Sequence, residues 1–137
     1  MTRYLLDSDI PIDHLDHLPA VVDFVGGLTA DGIAISVISY MEVRHGILRR
    51  HDSTTGLVAL GNLVAGLAQL EVTLEVATRC AGSRADLQRR GKAVRTRALD
   101  LLIAATAIEH NLTLVTRNVA DYQDVAGLLL LTPPSSN

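Results

Sequence analysis

Carboxylate side chains are spaced along the sequence in a way that favours metal chemistry. Asp7 and Asp9 follow a first apolar run directly, Glu42 follows a second run, and Asp121 follows a third. In open parallel sheets, ligands bind beyond the carboxyl ends of the strands, so at least three separate segments are expected to deliver acids to one edge. Asp100 begins a helix that leads into the third run, and strand order alone does not give its edge.

A cluster of acids requires a compensating cation. Two carboxylates about 5 Å apart repel by roughly 3 kcal/mol at an effective dielectric near 20, and each raises the pKa of the other. All-oxygen ligation favours Mg²⁺ or Mn²⁺ over zinc. Such an ion polarises a phosphoryl oxygen and activates a water. The acids therefore predict a metal-dependent phosphodiesterase or phosphatase.

Each acid also has a purely structural interpretation. Asp7 or Asp9 would cap a following helix, and Glu42 would be the reciprocal partner of Ser39 in a capping box. Asp100 would complement a helix dipole, and Asp121 would be a turn residue. None of these interpretations explains why the acids should gather at one edge.

The elements that would position these acids form an α/β pattern. Strands are predicted at 3–6, 33–38, 112–116 and 128–131, with a weaker candidate at 70–73, and helices at 19–28, 39–50, 54–69, 74–90 and 98–110. Continuous apolar runs are typical of strands covered on both faces, and alternation of strands with helices indicates a mostly parallel sheet. We expect one three-layer α/β/α domain over residues 1–132 and a flexible tail over 133–137.

Composition narrows the function classes. The chain has 137 residues, 48% of them hydrophobic, and a formal charge of −3, which argues weakly against a nucleic-acid-binding protein. The single cysteine, Cys80, is predicted to be a small buried apolar residue. No targeting or membrane-spanning segment is visible, so a cytoplasmic location is expected. Half of the twelve basic residues lie in one stretch, which is either a solvated helix end or a guide for phosphates: Arg84, Arg89, Arg90, Lys92, Arg95 and Arg97.

Four segments carry a resemblance to a known family. In chain order they are residues 4–10 (YLLDSDI), 36–43 (SVISYMEV), 100–105 (DLLIAA) and 115–122 (VTRNVADY). Together they resemble PIN-domain nucleases, most of all the VapC-type toxins of bacterial toxin–antitoxin pairs. The resemblance implies a PIN-like fold and an RNA-cleaving enzyme that uses Mg²⁺ or Mn²⁺ and is silenced by a cognate VapB-like antitoxin.

The resemblance also implies roles for individual residues. Asp7 would be the first metal ligand, Glu42 the second acid, Asp100 the third and Asp121 the fourth, often acting through water. Supporting positions are Ser8, Asp9, Thr116 and Asn118, with Asn118 orienting the acids. The sequence departs from the family at Asp9, which is often Asn, and at residues 95–99, where Pro and another Asp or Asn are common.

Partners are implied in the same way. The resemblance implies a homodimer and an antitoxin groove near residues 39–50 and 54–69, where Gly56, Gly61 and Gly66 would admit either a partner helix or tight internal packing. The basic stretch would contact RNA or an acidic part of the antitoxin. Two other functions stay open: a PIN-like module that binds RNA or a regulator without cleaving, and a phosphatase that uses Asp7 as nucleophile.

Overall fold

The centre of the molecule is a parallel sheet. The computed structural model describes residues 1–135, and within them the strands are β1 (Tyr4–Leu6), β2 (Ile33–Ser36), β3 (Ala68–Leu70), β4 (Thr113–Val115) and β5 (Leu129–Leu131). All neighbouring strands run parallel, in the order β3-β2-β1-β4-β5. The central strand β1 places Leu6 beside Ile35 on one side and Val115 on the other. The predicted parallel sheet is confirmed.

Helices cover both faces of this sheet. They are α1 (Asp9–Leu15), α2 (Pro19–Leu28), α3 (Val37–Leu48), α4 (Thr54–Ala65), α5 (Leu74–Arg89) and α6 (Ala98–Glu109). Right-handed crossovers place α1 to α4 on one face, and because the chain then reverses direction from β3 to β4, α5 and α6 cover the other. The three-layer α/β/α architecture is confirmed.

Successive residues of β1 enter opposite halves of the core. Leu5 packs with Leu101 and Leu114 under α5 and α6, whereas Leu6 packs with Ile10 and Val21 under α1 and α2. Both leucines are fully buried, as the continuous apolar run predicts for a strand covered on both faces. Cys80 is also buried, in the cluster that contains Leu5.

The connection into β2 requires glycine. Gly32 has a φ of +83°, and a Cβ there would lie 2.5 Å from the carbonyl oxygen of Met1. The Gly32 carbonyl accepts hydrogen bonds from the backbone N–H groups of Arg3 and Tyr4. This turn therefore starts the pairing of β1 with β2 at the edge of the sheet opposite the carboxylates.

Three predicted boundaries are wrong: those of β3, of the end of α4, and of the junction between β2 and α3. The weak strand lies at Ala68–Leu70 rather than 70–73, and α4 ends at Ala65 rather than at residue 69. Strand β3 is an edge strand whose Ala68 and Gln69 are exposed, so it lacks the apolar run that marks a central strand. Helix α3 begins at Val37 because Ser36, and not Ser39, is its cap: the Ser36 hydroxyl accepts a hydrogen bond from the Ser39 N–H.

Helices α5 and α6 form an antiparallel pair. Arg79, early in α5, is paired with Glu109 at the end of α6. Arg90 and Arg97, at the connection between the two helices, both contact Asp124 in the loop that follows β4. The tip of the pair, residues 90–97, therefore lies at the carboxyl edge of the sheet.

Residues 132–135 follow β5 without regular structure. Pro133 is buried, so the chain still packs against the domain one residue beyond the boundary predicted at 132. Ser136 and Asn137, the end of the predicted tail, lie outside the described residues. Within residues 1–135, no helix combines the length and apolar character that crossing a bilayer requires.

Candidate active site

The carboxyl ends of β1 and β4 lie at the point where strand order reverses. Strand β1 is connected to β2 over one face of the sheet, while β4 is reached over the other face, and such a point is where ligands bind in open α/β sheets. Asp7 and Thr116 are the residues that directly follow the paired positions Leu6 and Val115. The fold thus brings two predicted site residues side by side.

Asp7 is buried and tightly held. Its side chain is 4% exposed. Its Oδ1 accepts hydrogen bonds from the Ser8 N–H at 2.9 Å and the Tyr122 hydroxyl at 3.1 Å, and its Oδ2 accepts one from the Thr116 hydroxyl at 2.7 Å. A carboxylate offers about four acceptor directions, so one direction is left for a further ligand.

Asp100 lies at the same edge, which strand order alone did not reveal. It occupies the first turn of α6, and because α6 runs antiparallel to the strand it leads into, that turn lies at the carboxyl edge. The Tyr122 hydroxyl reaches Asp100 Oδ1 at 3.3 Å, as well as Asp7. Burial raises the pKa of Asp100, and the negative charges of Asp7, Asp121 and Glu42 raise it further.

The same effect shows that the four predicted acids share one electrostatic environment. Asp7, Glu42 and Asp121 come from three different elements, and each acts on Asp100 through its charge. Hydrogen bonds place the acids at one edge of the sheet: Ser8 joins Asp7 to Glu42, Tyr122 contacts both Asp7 and Asp100, and Asp121 directly precedes Tyr122. Among residues 1–135, however, no group of three or more Asp, Glu, His or Cys side chains is placed to hold a metal ion.

Glu42 is not part of a capping box. Its Oε1 accepts a hydrogen bond from the Ser8 hydroxyl, 34 residues earlier in the chain, and the helix cap is supplied by Ser36. The alternative interpretation of Glu42 as the capping-box partner of Ser39 is therefore wrong. Ser8 supports the site twice, since its N–H also donates to Asp7.

Asp9 contacts the loop after β4. Its Oδ2 accepts a 2.9 Å hydrogen bond from the Arg117 N–H, while its Oδ1 is buried without a partner among the described residues. Burial raises the pKa of Asp9 to about 6, and the charge of Asp7 adds to that shift. The Arg117 guanidinium is paired with Asp13. Asp9 therefore anchors this loop.

Asn118 supports the site through its backbone. Its N–H donates a 3.0 Å hydrogen bond to the Thr116 hydroxyl, which in turn donates to Asp7. The Asn118 side chain is exposed and makes no hydrogen bond within residues 1–135. The expected orienting role of Asn118 is thus carried by its main chain and not by its amide.

Tyr122 is the site residue that sequence reasoning missed. Its side chain is 1% exposed, and its hydroxyl lies between the carboxylates of Asp7 and Asp100. Burial and these two negative charges raise the pKa of Tyr122 well above its usual value, so the hydroxyl keeps its proton and acts as a donor. Its position next to Asp121 was a weak signal, because a tyrosine after a turn is usually a core residue.

The predicted basic stretch divides into two groups. Arg97 bonds the Asp121 carbonyl and both carboxylate oxygens of Asp124, and Arg90 bonds the Asp124 carbonyl as well as Asp86, so these two arginines hold the loop. The remaining basic residues form no ion pair in the described part of the chain: Arg84, Arg89, Lys92 and Arg95.

Comparison with known proteins agrees with this fold. The PIN domain family matches residues 4–128. The tRNA(fMet)-specific endonuclease VapC of Shigella flexneri is 28% identical over 128 residues, which cover 93% of this chain and 96% of that protein. The VapC of the same name from Salmonella typhimurium is 24% identical over the same shares.

Solved structures show the same architecture. A chain of VapBC2 from Rickettsia felis, bound to a DNA fragment from its promoter, superposes with a TM-score of 0.88 at 24% identity, over 97% of this chain and all of that one. A chain of FitAcB from Neisseria gonorrhoeae has a TM-score of 0.76 at 27% identity, over 93% and 96% of the two chains. This chain belongs to the PIN domain family. Its resemblance to VapC-type toxins, inferred from four short segments, is confirmed.

Proposed function

We propose that this protein is a metal-dependent endoribonuclease of the VapC type, which hydrolyses RNA phosphodiester bonds and is neutralised by a cognate VapB-like antitoxin in the cytoplasm. One observation carries the proposal. Asp7, Glu42, Asp100 and Asp121 come from four separate segments and lie at the carboxyl edge of the sheet, where Tyr122 contacts both Asp7 and Asp100 and Ser8 joins Asp7 to Glu42.

The donor set fits a hard divalent cation such as Mg²⁺ or Mn²⁺. It consists of carboxylate oxygens. The negative charges of Asp7, Asp121 and Glu42 raise the pKa of Asp100, so a cation would relieve the repulsion among the four carboxylates. Asp7 and Asp100 would hold the ion directly, with Glu42 and Asp121 acting through water. Mg²⁺ usually keeps several waters and takes one or two carboxylates, so it does not require three acids within ligand distance of one point.

The residues around the ion would divide the catalytic work. When bound, the ion supplies Lewis-acid polarisation of a phosphoryl oxygen and a more acidic water. Glu42 is fixed through Oε1 by Ser8, which leaves Oε2 to accept a proton from the attacking water. Thr116 and Ser8 keep Asp7 oriented.

The RNA would lie across the tip of the α5–α6 pair. Lys92 and Arg95 are exposed there, next to the loop that carries Asp121. Exposed basic side chains that are not engaged in ion pairs can neutralise backbone phosphates. Two relatives are named as endonucleases specific for tRNA(fMet), so initiator tRNA is the first substrate to test.

Exposed apolar side chains support an antitoxin partner. Val37, Met41 and Leu48 lie on one face of α3, and Val58 lies on the neighbouring helix α4; all four are exposed. Gly61 lines the groove between these helices, whereas a Cβ at Gly56 would lie 2.8 Å from the Ile47 side chain, so Gly56 serves internal packing. Several structural neighbours are toxin–antitoxin complexes. We also propose that the chain is a homodimer, which light scattering on the purified protein would test.

Cleavage of initiator tRNA by the purified protein tests the enzyme. We expect cleavage with Mg²⁺ or Mn²⁺, none in EDTA, and none by Asp7→Asn or Asp100→Asn. Asp23→Asn is the matched control, because Asp23 is an exposed acid on α2. If both site variants still cut RNA, the proposal is wrong. RNA binding without cleavage would indicate a non-cleaving module, and phosphate release from small monoesters with a trapped acyl-phosphate on Asp7 would indicate the phosphatase.

Binding of the protein encoded by the adjacent reading frame tests the partner. Leu48→Glu places a charge in the exposed α3 face and is expected to abolish binding without reducing RNA cleavage. Leu74→Glu is the control, since Leu74 is a more exposed leucine, 79% against 53%, on the opposite layer. Equal binding by both variants would place the antitoxin elsewhere.

A further inference from the structure

Tyr122 links two acids that approach the site from opposite directions. Its ring is buried in the core cluster that contains Leu5, Leu101 and Leu114. From that fixed position its hydroxyl reaches Asp7 Oδ1 at 3.1 Å and Asp100 Oδ1 at 3.3 Å. A phenol anchored by a buried ring has little freedom to move. Its hydroxyl therefore holds both carboxylate oxygens close to one fixed atom.

The two carboxylates depend on this hydroxyl to different degrees. Asp7 is also held by the Ser8 N–H and the Thr116 hydroxyl. The Asp100 carboxylate makes no other hydrogen bond and no ion pair within residues 1–135. Removal of the Tyr122 hydroxyl would therefore leave Asp7 in place and release Asp100.

We propose that Tyr122 is a positioning residue of the metal site, which holds the Asp100 carboxylate at a fixed separation from that of Asp7 so that one divalent cation can bind both. The inference rests on the proposed function and adds to it a residue that sets metal affinity. Because the hydroxyl carries one hydrogen, it donates to one carboxylate at a time. The negative charge of the other carboxylate would then be balanced by the cation.

The loop around Tyr122 is built to keep this geometry. The Tyr122 N–H bonds the Val119 carbonyl at 3.0 Å, and Arg97 bonds the preceding Asp121 carbonyl at 2.8 Å. Arg97 also holds the Asp124 carboxylate through two nitrogens. The backbone on both sides of the tyrosine is thus fixed to the start of α6, the helix that carries Asp100.

Calorimetric titration of the full-length protein with Mn²⁺ tests the proposal. Tyr122→Phe removes one oxygen and keeps the buried ring, and we expect Mn²⁺ to bind about tenfold more weakly, as is common when a partner of a metal ligand is lost. Tyr4→Phe is the matched control, because Tyr4 begins β1 at the opposite edge of the sheet. It should bind Mn²⁺ like the wild type.

Cleavage at saturating Mn²⁺ provides a second measurement. A residue that only positions a ligand affects the metal concentration needed, so saturating Mn²⁺ should restore the rate of Tyr122→Phe to that of the wild type. Unchanged Mn²⁺ affinity in Tyr122→Phe, or an equal loss in Tyr4→Phe, would refute the role of Tyr122 while the proposed nuclease stands. A wild-type protein that binds no Mn²⁺ would refute both.

Discussion

The Thr116 hydroxyl donates a 2.7 Å hydrogen bond to Asp7 Oδ2, across 109 residues of sequence. The two residues follow paired positions of β4 and β1, and both are almost fully buried. Thr116 also accepts a hydrogen bond from the Asn118 N–H, so it connects the buried acid to the loop that carries Asp121. This one hydroxyl therefore links the carboxyl ends of β1 and β4.

Thr116→Val keeps the shape of the side chain and removes this hydroxyl. We expect a loss of about 2 kcal/mol in the free energy of unfolding, because a hydrogen bond to a charged group is lost and both Asp7 Oδ2 and the Asn118 N–H lose their partner. RNA cleavage should fall by about 10-fold or more. Chemical denaturation and a cleavage assay measure the two effects.

Thr106→Val is the control for that substitution. Thr106 is equally buried, but its hydroxyl bonds the Leu102 carbonyl within α6. Its loss should cost under about 1 kcal/mol and leave cleavage unchanged. Equal effects of the two substitutions would show that Thr116 has no special relation to Asp7.

The Arg97–Asp124 pair should stabilise the protein in a pH-dependent way. The two side chains are only 17% and 19% exposed, and hydrogen bonding to Arg97 lowers the pKa of Asp124. A lowered folded-state pKa contributes stability above the unfolded value, near 4, and this contribution is lost as the pH falls through the folded value. Asp124→Asn should therefore cost about 2 kcal/mol at pH 7 and progressively less below about pH 4.

Urea denaturation between pH 3 and pH 8 measures that difference. Arg79→Ala, which breaks the more exposed pair with Glu109, is the comparison and should cost less than about 1 kcal/mol. A difference between the wild type and Asp124→Asn that stays constant down to pH 3 would contradict the assignment.

Asp9→Asn should stabilise the metal-free protein at neutral pH. The folded-state pKa of Asp9, about 6, lies above the unfolded value near 4. Ionisation therefore costs stability, the cost appears as the pH rises from about 4 to 6, and it persists above 6. An Asn keeps the oxygen that accepts from the Arg117 N–H. We expect the free energy of unfolding to rise by about 1 kcal/mol at pH 7.5, a value kept small because Asp9 is partly exposed to water, and not to change below about pH 4.

Melting temperatures in EDTA at pH 4 and pH 7.5 measure this effect. Asp23→Asn, on the exposed side of α2, should change neither value. Stabilisation by Asp9→Asn at both pH values would mean that the gain does not arise from the charge.

Lys92→Ala and Arg95→Ala should weaken RNA binding without altering the chemistry of the site. Each phosphate contact that is lost should reduce the slope of the logarithm of the binding constant against the logarithm of the salt concentration by about one. Fluorescence anisotropy with the tRNA, in the Asp100→Asn background, measures binding without cleavage. Arg3→Ala, at the opposite edge of the sheet, is the control. A salt dependence equal to that of the control would place the RNA elsewhere.

The parts of the site that lie on paired strands could be predicted from the sequence. Asp7 and Thr116 follow apolar runs, and parallel pairing places the carboxyl ends of such runs together. Asp100 could be placed only from the direction of α6 relative to β4, since its own position in the sequence is equally consistent with a charge at a helix terminus.

Side-chain contacts between distant segments could not be predicted. Tyr122 reaches the acids because Arg97 and Arg90 fix the loop around it, and those contacts span 24 to 34 residues. Glu42 had a local partner available at Ser39, but Ser36 took the cap position and Ser8 became its partner. Local pattern could not decide between these alternatives because the deciding partners are distant in sequence.

The position of β1 in the middle of the sheet has a consequence for synthesis on the ribosome. Strand β1 is synthesised before its neighbour β4 and before the Tyr122 loop. Until they emerge, Asp7 lacks Thr116 and Tyr122, and Asp100 lacks its hydrogen-bond donor. A nascent chain that ends before Thr116 therefore carries Asp7, Glu42 and Asp100 without the contacts that assemble the site.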